Sequence, residues 1–233
     1  MNAGALRVGG LVPFSATDYP GKFAAVVFVQ GCPWRCGYCH NPHLQPRKRG
    51  ALVWGDVAEL LRRRAGLLDG VVFSGGEPTI DPALPDAIAA AREMGLAVGL
   101  HTACIYPRRL EAVLPMLDWV GFDIKTSFGS YPGITGVAGS GEPARACMEA
   151  ILASGVAHEC RTTLHPVLHD EAEVEALAEM LAGAGVRNYA LQSFRTQGCA
   201  NPALVASGAT PCMGADALAR IAARFEQFTF RTA

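Results

Sequence analysis

Three cysteines fall within eight residues, Cys32, Cys36 and Cys39, in the stretch GCPWRCGYCHNP. C-x3-C-x2-C on one short loop lets three thiolates wrap a compact centre, and thiolates favour soft or borderline metals, meaning zinc or an iron–sulfur cluster. A structural zinc site takes four ligands. With no C-x-x-C partner elsewhere in the chain, zinc would need His40 or His43 as the fourth. A cubane held by three cysteines instead leaves one iron without a protein ligand, and that position can take a substrate.

Other residues carry chemistry of their own. In SGGEP, Gly75 and Gly76 permit close approach of backbone to a ligand and Glu77 offers a negative acceptor ahead of Pro78, although a GG turn alone is common. Asp123 and Lys125 are two apart and share one strand face, where a plain ion pair is the simplest account. Arg161 carries a planar fork suited to a carboxylate, or is a surface arginine on a strand. Cys104, Cys147 and Cys160 read as small core residues, and His165 and His169, beside Pro166, as loop residues. Cys199 and Cys212 lie in the Gly/Pro/Ala-rich stretch GCANPALVASGATPCMG, where they would ligate a metal or contact a partner.

The elements that position these groups follow a regular alternation. Apolar, β-branched runs predict strands over 24–30, 70–74, 97–102, 119–125, 158–164 and 188–193, with a possible terminal strand over 227–231. Helical patterns fill 56–65, 82–94, 107–114, 143–153, 171–184 and 215–225. Asp81 before Pro82 is expected to cap the second helix and Gly95 to end it. Alternation with short connections implies right-handed βαβ units. Six or seven are too few for an eight-fold barrel, so a partial, laterally open (β/α)6-type parallel barrel is expected, with a doubly wound sheet as the alternative. Both gather chemistry at the carboxyl ends of the strands, where the cysteine loop, SGGEP, Thr102, Asp123, Lys125 and Arg161 converge.

The 233 residues suit a single domain: a barrel core over 24–200, an N-terminal extension over 1–23, and a C-terminal helix and strand over 201–233. Half the residues are apolar and 18% are charged, which excludes a disordered or fibrous chain. Net charge is −1, and the basic runs 47–49 and 62–64 read as a solvated loop and the polar face of a helix. Neither nucleic acid nor membrane is expected as a partner. The opening MNAGALRVGGLV lacks the features of a secretory signal, so a cytoplasmic location is expected.

Taken with SGGEP, the C-x3-C-x-aromatic-C loop, with Tyr38 as the aromatic, resembles the radical S-adenosylmethionine (SAM) superfamily. DYPGK before the first core strand and CHNP after the cysteines narrow the resemblance to glycyl-radical-enzyme activating proteins, and within them to the activators of anaerobic ribonucleoside-triphosphate reductase. It is clearest over residues 10–45 and 70–80. The resemblance implies a 4Fe–4S cluster on Cys32, Cys36 and Cys39, and a SAM site in which Gly75, Gly76, Glu77 and Pro78 hold the methionine amino group. It implies further that Thr102, Asp123 and Lys125 lie near the SAM carboxylate and that Arg161 pairs with it. Where pyruvate formate-lyase activators carry an aspartate of a monovalent-cation site and a histidine near the ribose, this chain has His101 and Arg195, leaving Gln192 and Ser193 to share the ribose contact. The implied reaction is reductive cleavage of SAM followed by removal of a glycine α-hydrogen from a partner glycyl radical enzyme, the electron coming from a donor such as flavodoxin or ferredoxin. The alternatives are a radical SAM reaction on a small molecule, as in deazaguanine synthesis, and a zinc-binding module without enzymatic activity.

Overall fold

The computed structural model describes residues 2–208 and 213–232. The apolar run after Phe23 forms β2 (Ala24–Val29), buried on both faces, as β-branched residues between two apolar layers should be. It is second in one eight-stranded sheet whose spatial order is that of the chain. The others are β1 (Val8–Ser15), β3 (Gly70–Gly75), β4 (Ala97–Thr102), β5 (Trp119–Asp123), β6 (Ala157–Leu164), β7 (Asn188–Ser193) and β8 (Gln227–Arg231). β2 to β8 are parallel and β1 is antiparallel to β2. Among the described residues β1 and β8 share no ladder, so the sheet is open at one side. Its unbroken strand order excludes the doubly wound alternative, in which the order reverses partway.

The connecting helices are α1 (Trp54–Arg63), α2 (Leu84–Glu93), α3 (Pro107–Val113), α4 (Tyr131–Thr135), α5 (Gly141–Ser154), α6 (Glu171–Gly183), α7 (Pro202–Ala206) and α8 (Ala215–Ala222). The second begins later than expected, at Leu84. Asp81 instead ends a 3-10 turn, because one carboxylate oxygen is drawn away to Arg47 at 3.0 Å and to the Arg7 N–H, while the other accepts the Ala83 N–H at 3.0 Å. Gly95 does stop the helix, in the left-handed region at φ 79°. β1 lies in the stretch expected to be an extension; its Pro13 lacks an N–H and sits on an edge strand, where none is required.

Alternate strand residues divide between two cores. Ala25, Val27, Val29, Val71, Phe73, Val98, Leu100, Val120 and Phe122 face the helices, while Ala24, Val26, Val72 and Trp119 face the barrel interior. The DYPGK loop between β1 and β2 folds into that interior. Tyr19 stacks on Trp119 with ring centres 5.4 Å apart and is 4% exposed, which plugs the amino-terminal end and contributes about 2 kcal/mol of apolar burial.

Candidate active site

The cysteine loop starts where β2 ends and is clamped from both sides. The Gln30 carboxamide donates to His43 O and Pro46 O at 3.1 and 2.8 Å, folding the chain back on itself. Gly31, at φ 116°, donates its N–H to Leu44 O at 2.7 Å, and the Cys32 N–H donates to Gln45 O at 2.9 Å. Further along, the N–H groups of Arg35 and Gly37 donate to Thr135 O and Ile134 O on α4. Behind the loop, the Cys199 thiol donates to Gly37 O at 3.6 Å, and His40 stacks on Phe194 while its Nε2 meets the Arg195 backbone. Cys212 lies outside the described residues.

This scaffold brings Cys32, Cys36, Cys39, Tyr38, Gly75, Gly76, Asp123 and Lys125 onto one cavity of about 170 Å3. The thiols line its wall; among the described residues, no three His, Cys, Asp or Glu side chains converge on a single-ion site. Burial, helped by the nearby Glu77 carboxylate, pushes the Cys32 thiol up to about 12, and burial raises Cys36 as well. Metal binding therefore displaces protons here, since only the thiolate ligates.

The two glycines serve the backbone first. A Cβ on Gly75, at φ 121°, would lie 2.4 Å from Val29 N, and one on Gly76 would lie 2.4 Å from Gly31 O. Side chains are excluded because the β3 turn packs directly on the root of the cysteine loop, with Gly76 N–H to Val29 O at 3.0 Å and Glu77 N–H to Gly31 O at 2.9 Å.

Glu77 differs from the expectation that it faces a ligand. It is 0% exposed, and its carboxylate is enclosed by donors: Oε1 accepts from Thr79 N–H and Thr79 Oγ1 at 3.1 and 2.6 Å, and Oε2 from Ala103 N–H at 2.8 Å. Thr102 Oγ1 lies 2.9 and 3.0 Å from the two oxygens. Burial pushes the Glu77 carboxyl above the usual carboxylate range, against the pull of these hydrogen bonds. Glu77, Pro78 and Thr102 thus stand behind the cavity wall, tying the β3 turn to the β4 turn, and the groups presented to the cavity are Gly75, Gly76 and Ala103.

Lys125 Nζ pairs with Asp123 at 3.1 Å and lies 5.7 Å from the centre of the Tyr38 ring. Burial disfavours its charge, but Tyr38, Asp123 and Cys36 outweigh that and hold it firmly ammonium. The Tyr38 hydroxyl is buried without a hydrogen-bond partner among the described residues. His169, expected in a loop, is instead buried and bonds Lys125 O through Nε2 at 2.8 Å; His165 is likewise buried, its Nε2 meeting Leu204 O at 3.1 Å and Ser207 Oγ at 3.4 Å.

His40 and Thr163 also line a second cavity, of about 570 Å3, at the open side of the barrel. Its walls are Thr17 and Asp18 from the plug loop, Arg161 on β6, Gln192 and Ser193 on β7, and Arg195, Arg231 and Thr232. Arg161 lies over Trp119, 5.1 Å from its ring centre, in space that Gly121 leaves free: a Cβ there would meet the guanidinium carbon at 2.8 Å. Its Nε donates to Glu159 at 2.8 Å, and Arg231 grips the same carboxylate with two bonds of 2.9 and 2.8 Å. Two guanidiniums share one carboxylate, so this wall keeps a positive surplus. Ser193 Oγ is buried and unpartnered among the described residues. His101 is not on either wall; its ring bonds Asp18 O and Ser74 Oγ, and burial, with Arg161 nearby, keeps it neutral. Sequence reasoning missed Glu159 and Arg231, which no motif marks.

Three thiols, the glycine-lined turn packed on their loop and an ammonium–carboxylate pair share one cavity beside a cationic one, an arrangement suited to a thiolate-held cluster next to a zwitterionic ligand. The sequence profile of the Radical SAM superfamily matches residues 26–181, and the chain belongs to that superfamily. It is 32% identical over 198 residues to the "Putative glycyl-radical enzyme activating enzyme MJ1227" of Methanocaldococcus jannaschii, covering 80% of this chain and 79% of that one. It is 32% identical over 183 residues to the pyruvate formate-lyase-activating enzyme of Clostridium pasteurianum, covering 75% and 76%. Among solved structures, Streptococcus suis SuiB bound to its precursor peptide SuiA superposes with a TM-score of 0.66 at 14% identity, covering 88% of this chain and 48% of that one, a likeness of fold. The protein is an enzyme of the radical SAM, glycyl-radical-enzyme activating family, which works with a 4Fe–4S cluster and SAM.

Proposed function

We propose that this enzyme activates anaerobic ribonucleoside-triphosphate reductase, removing an α-hydrogen from a glycine of that partner, with Cys32, Cys36 and Cys39 holding the cluster. The observation that carries the reading is the adjacency of two cavities: the thiol-lined one shares His40 and Thr163 with a larger one at the open side of the barrel. A polypeptide loop can enter there. Glycine suits the target because no Cβ obstructs close approach.

Held by Cys32, Cys36 and Cys39, a cluster would supply the single electron for reductive cleavage of the SAM sulfonium. The chain's own residues do the positioning. Gly75 and Gly76 present backbone to the methionine amino group, with Glu77, Pro78 and Thr102 holding that turn from behind. Lys125 and Arg161 supply positive charge for the methionine carboxylate, Arg161 through the Nη atoms that Glu159 leaves free. Tyr38 and the aromatic packing behind it keep water away, which preserves a reactive radical for its intended hydrogen. Gln192 and Ser193, on the wall of the larger cavity, take the ribose hydroxyls in this reading.

The test is anaerobic reconstitution and reduction with SAM, with anaerobic ribonucleoside-triphosphate reductase or pyruvate formate-lyase added separately. A glycine-centred electron paramagnetic resonance signal on the reductase, and none on the lyase, is the expected result. SAM cleavage with no glycyl radical on either would assign the chemistry to another substrate.

A further inference from the structure

The basic run 47–49 follows immediately on the wall of the thiol cavity. Gln45 lines that cavity and accepts the Cys32 N–H. Arg47 then packs on Gly31, where a Cβ would meet Arg47 Cδ at 2.7 Å, and its Nη1 donates to Gln30 O at 2.7 Å. Past it, Lys48 and Arg49 turn over the start of β1 and join Arg7 around an open cavity of about 400 Å3. Leu52 and Val53 also line it, 38% and 53% exposed. Of the four cations only Arg47 is ion-paired among the described residues, to Asp81. In a chain of net charge −1 the surplus is local. An apolar centre ringed by unpaired charge of one sign suits a transient protein partner of the opposite sign.

Its place in the fold says which partner. Val8, at the start of β1, pairs with Val29 at the end of β2, so this face lies at the same end of the sheet as the cysteine loop. The larger cavity, by contrast, opens between the plug loop and β8, and leaves this face free. Splitting a sulfonium carbon–sulfur bond consumes one electron from outside: the donor is oxidised by one electron, the sulfonium becomes a neutral thioether, and the departing carbon keeps the unpaired electron until it takes a hydrogen atom from glycine. We propose that the Arg7, Arg47, Lys48 and Arg49 face is the docking surface of an acidic one-electron carrier protein, resting on the reading that Cys32, Cys36 and Cys39 hold the cluster. The carrier then sits over the backbone that leads through Gln45 to Cys32.

The test uses reconstituted holoenzyme with two probes, an acidic flavodoxin and an acidic ferredoxin, each in its reduced form. Binding and the rate of carrier oxidation are measured for wild type, for Lys48→Glu/Arg49→Glu, and for the matched reversal Arg187→Glu/Arg224→Glu at the opposite end of the barrel. The first variant should weaken binding of at least one carrier and slow its oxidation by about tenfold at ~0.05 M salt, with the difference vanishing at ~0.5 M. The matched reversal should behave as wild type. Reduction by dithionite, which needs no docking face, should give the same cluster signal in all three. Equal binding and oxidation rates for the Lys48/Arg49 variant and wild type, equal losses in both variants, or no binding of either carrier to wild type would each overturn the proposal. A wild type that takes up no iron, or whose dithionite-reduced form shows no cluster signal, would instead overturn the cluster assignment.

Discussion

Replacing Glu77 by glutamine separates a residue that touches the ligand from one that holds the wall. Each carboxylate oxygen accepts one backbone N–H, Oε1 from Thr79 and Oε2 from Ala103, besides the threonine hydroxyls. An amide can turn only one oxygen toward these donors, and its NH2 group then points at a second N–H in a site with 0% exposure. One charge-assisted hydrogen bond is lost and a buried donor is left unpaired, at about 1.5–3 and 1–3 kcal/mol respectively. The expected destabilisation is therefore about 3 kcal/mol, a large share of the ~5–15 kcal/mol that holds a typical domain together, and lowers the melting temperature by about 6–12 °C. Urea denaturation and calorimetry of the metal-free protein read this directly, with SAM affinity of the holoenzyme measured alongside. A variant within about 0.5 kcal/mol of wild type that nonetheless binds SAM much more weakly would refute the positioning role and restore Glu77 as a direct ligand.

Gly76→Ala should cost at least about 3 kcal/mol, because its Cβ would meet rigid backbone at Gly31 O, whereas Gly133→Ala, with nothing within 4 Å on α4, should be neutral or stabilising by up to ~1 kcal/mol; urea midpoints decide. Cys36→Ala should abolish iron binding, while Cys199→Ala should keep full iron content and lose about 1 kcal/mol of stability, read by iron analysis and denaturation. Burial alone would raise the Glu159 carboxyl, but the hydrogen bond from Arg231 and the charge of Arg161 outweigh it and hold it below the usual value. Its contribution is complete above the unfolded value of about 4.3 and is lost as pH falls through the lower folded one, so Glu159→Gln should cost about 2 kcal/mol at neutral pH and flatten the acid limb of the stability curve. Hydrogen exchange should show β8 released in that variant.

The parallel strands were legible because β-branched runs between turn signals have few other uses in a chain of this length. β1 was not: Gly9, Gly10 and Pro13 weaken every strand signal, and only pairing with the strongly apolar β2 makes it one. α4 and α7, five residues each, are too short to show a helical period. Within the site, residue type and local spacing revealed the cysteine loop and the glycine turn. They did not reveal the direction of Glu77, which is set by donors 25 and 26 residues away, nor the pairing of Glu159 with Arg231 across 72 residues. The histidines at 165 and 169 carried the same blind spot, since an imidazole near a proline looks like a loop residue until the carbonyls it meets are in view.

The sheet's unbroken order has a bearing on how the chain assembles. Each strand is laid beside the one made just before it, so every ladder can form as soon as its second strand is synthesised, with no gap awaiting a later insertion. The three thiols, the glycine turn and Ala103 belong to the first half of the polypeptide and Asp123 and Lys125 follow soon after, whereas Arg231 is made near the end. A nascent chain would thus own a metal-ready pocket before it owns the flank that borders the larger opening, which puts the growing protein at risk of capturing metal ahead of completion.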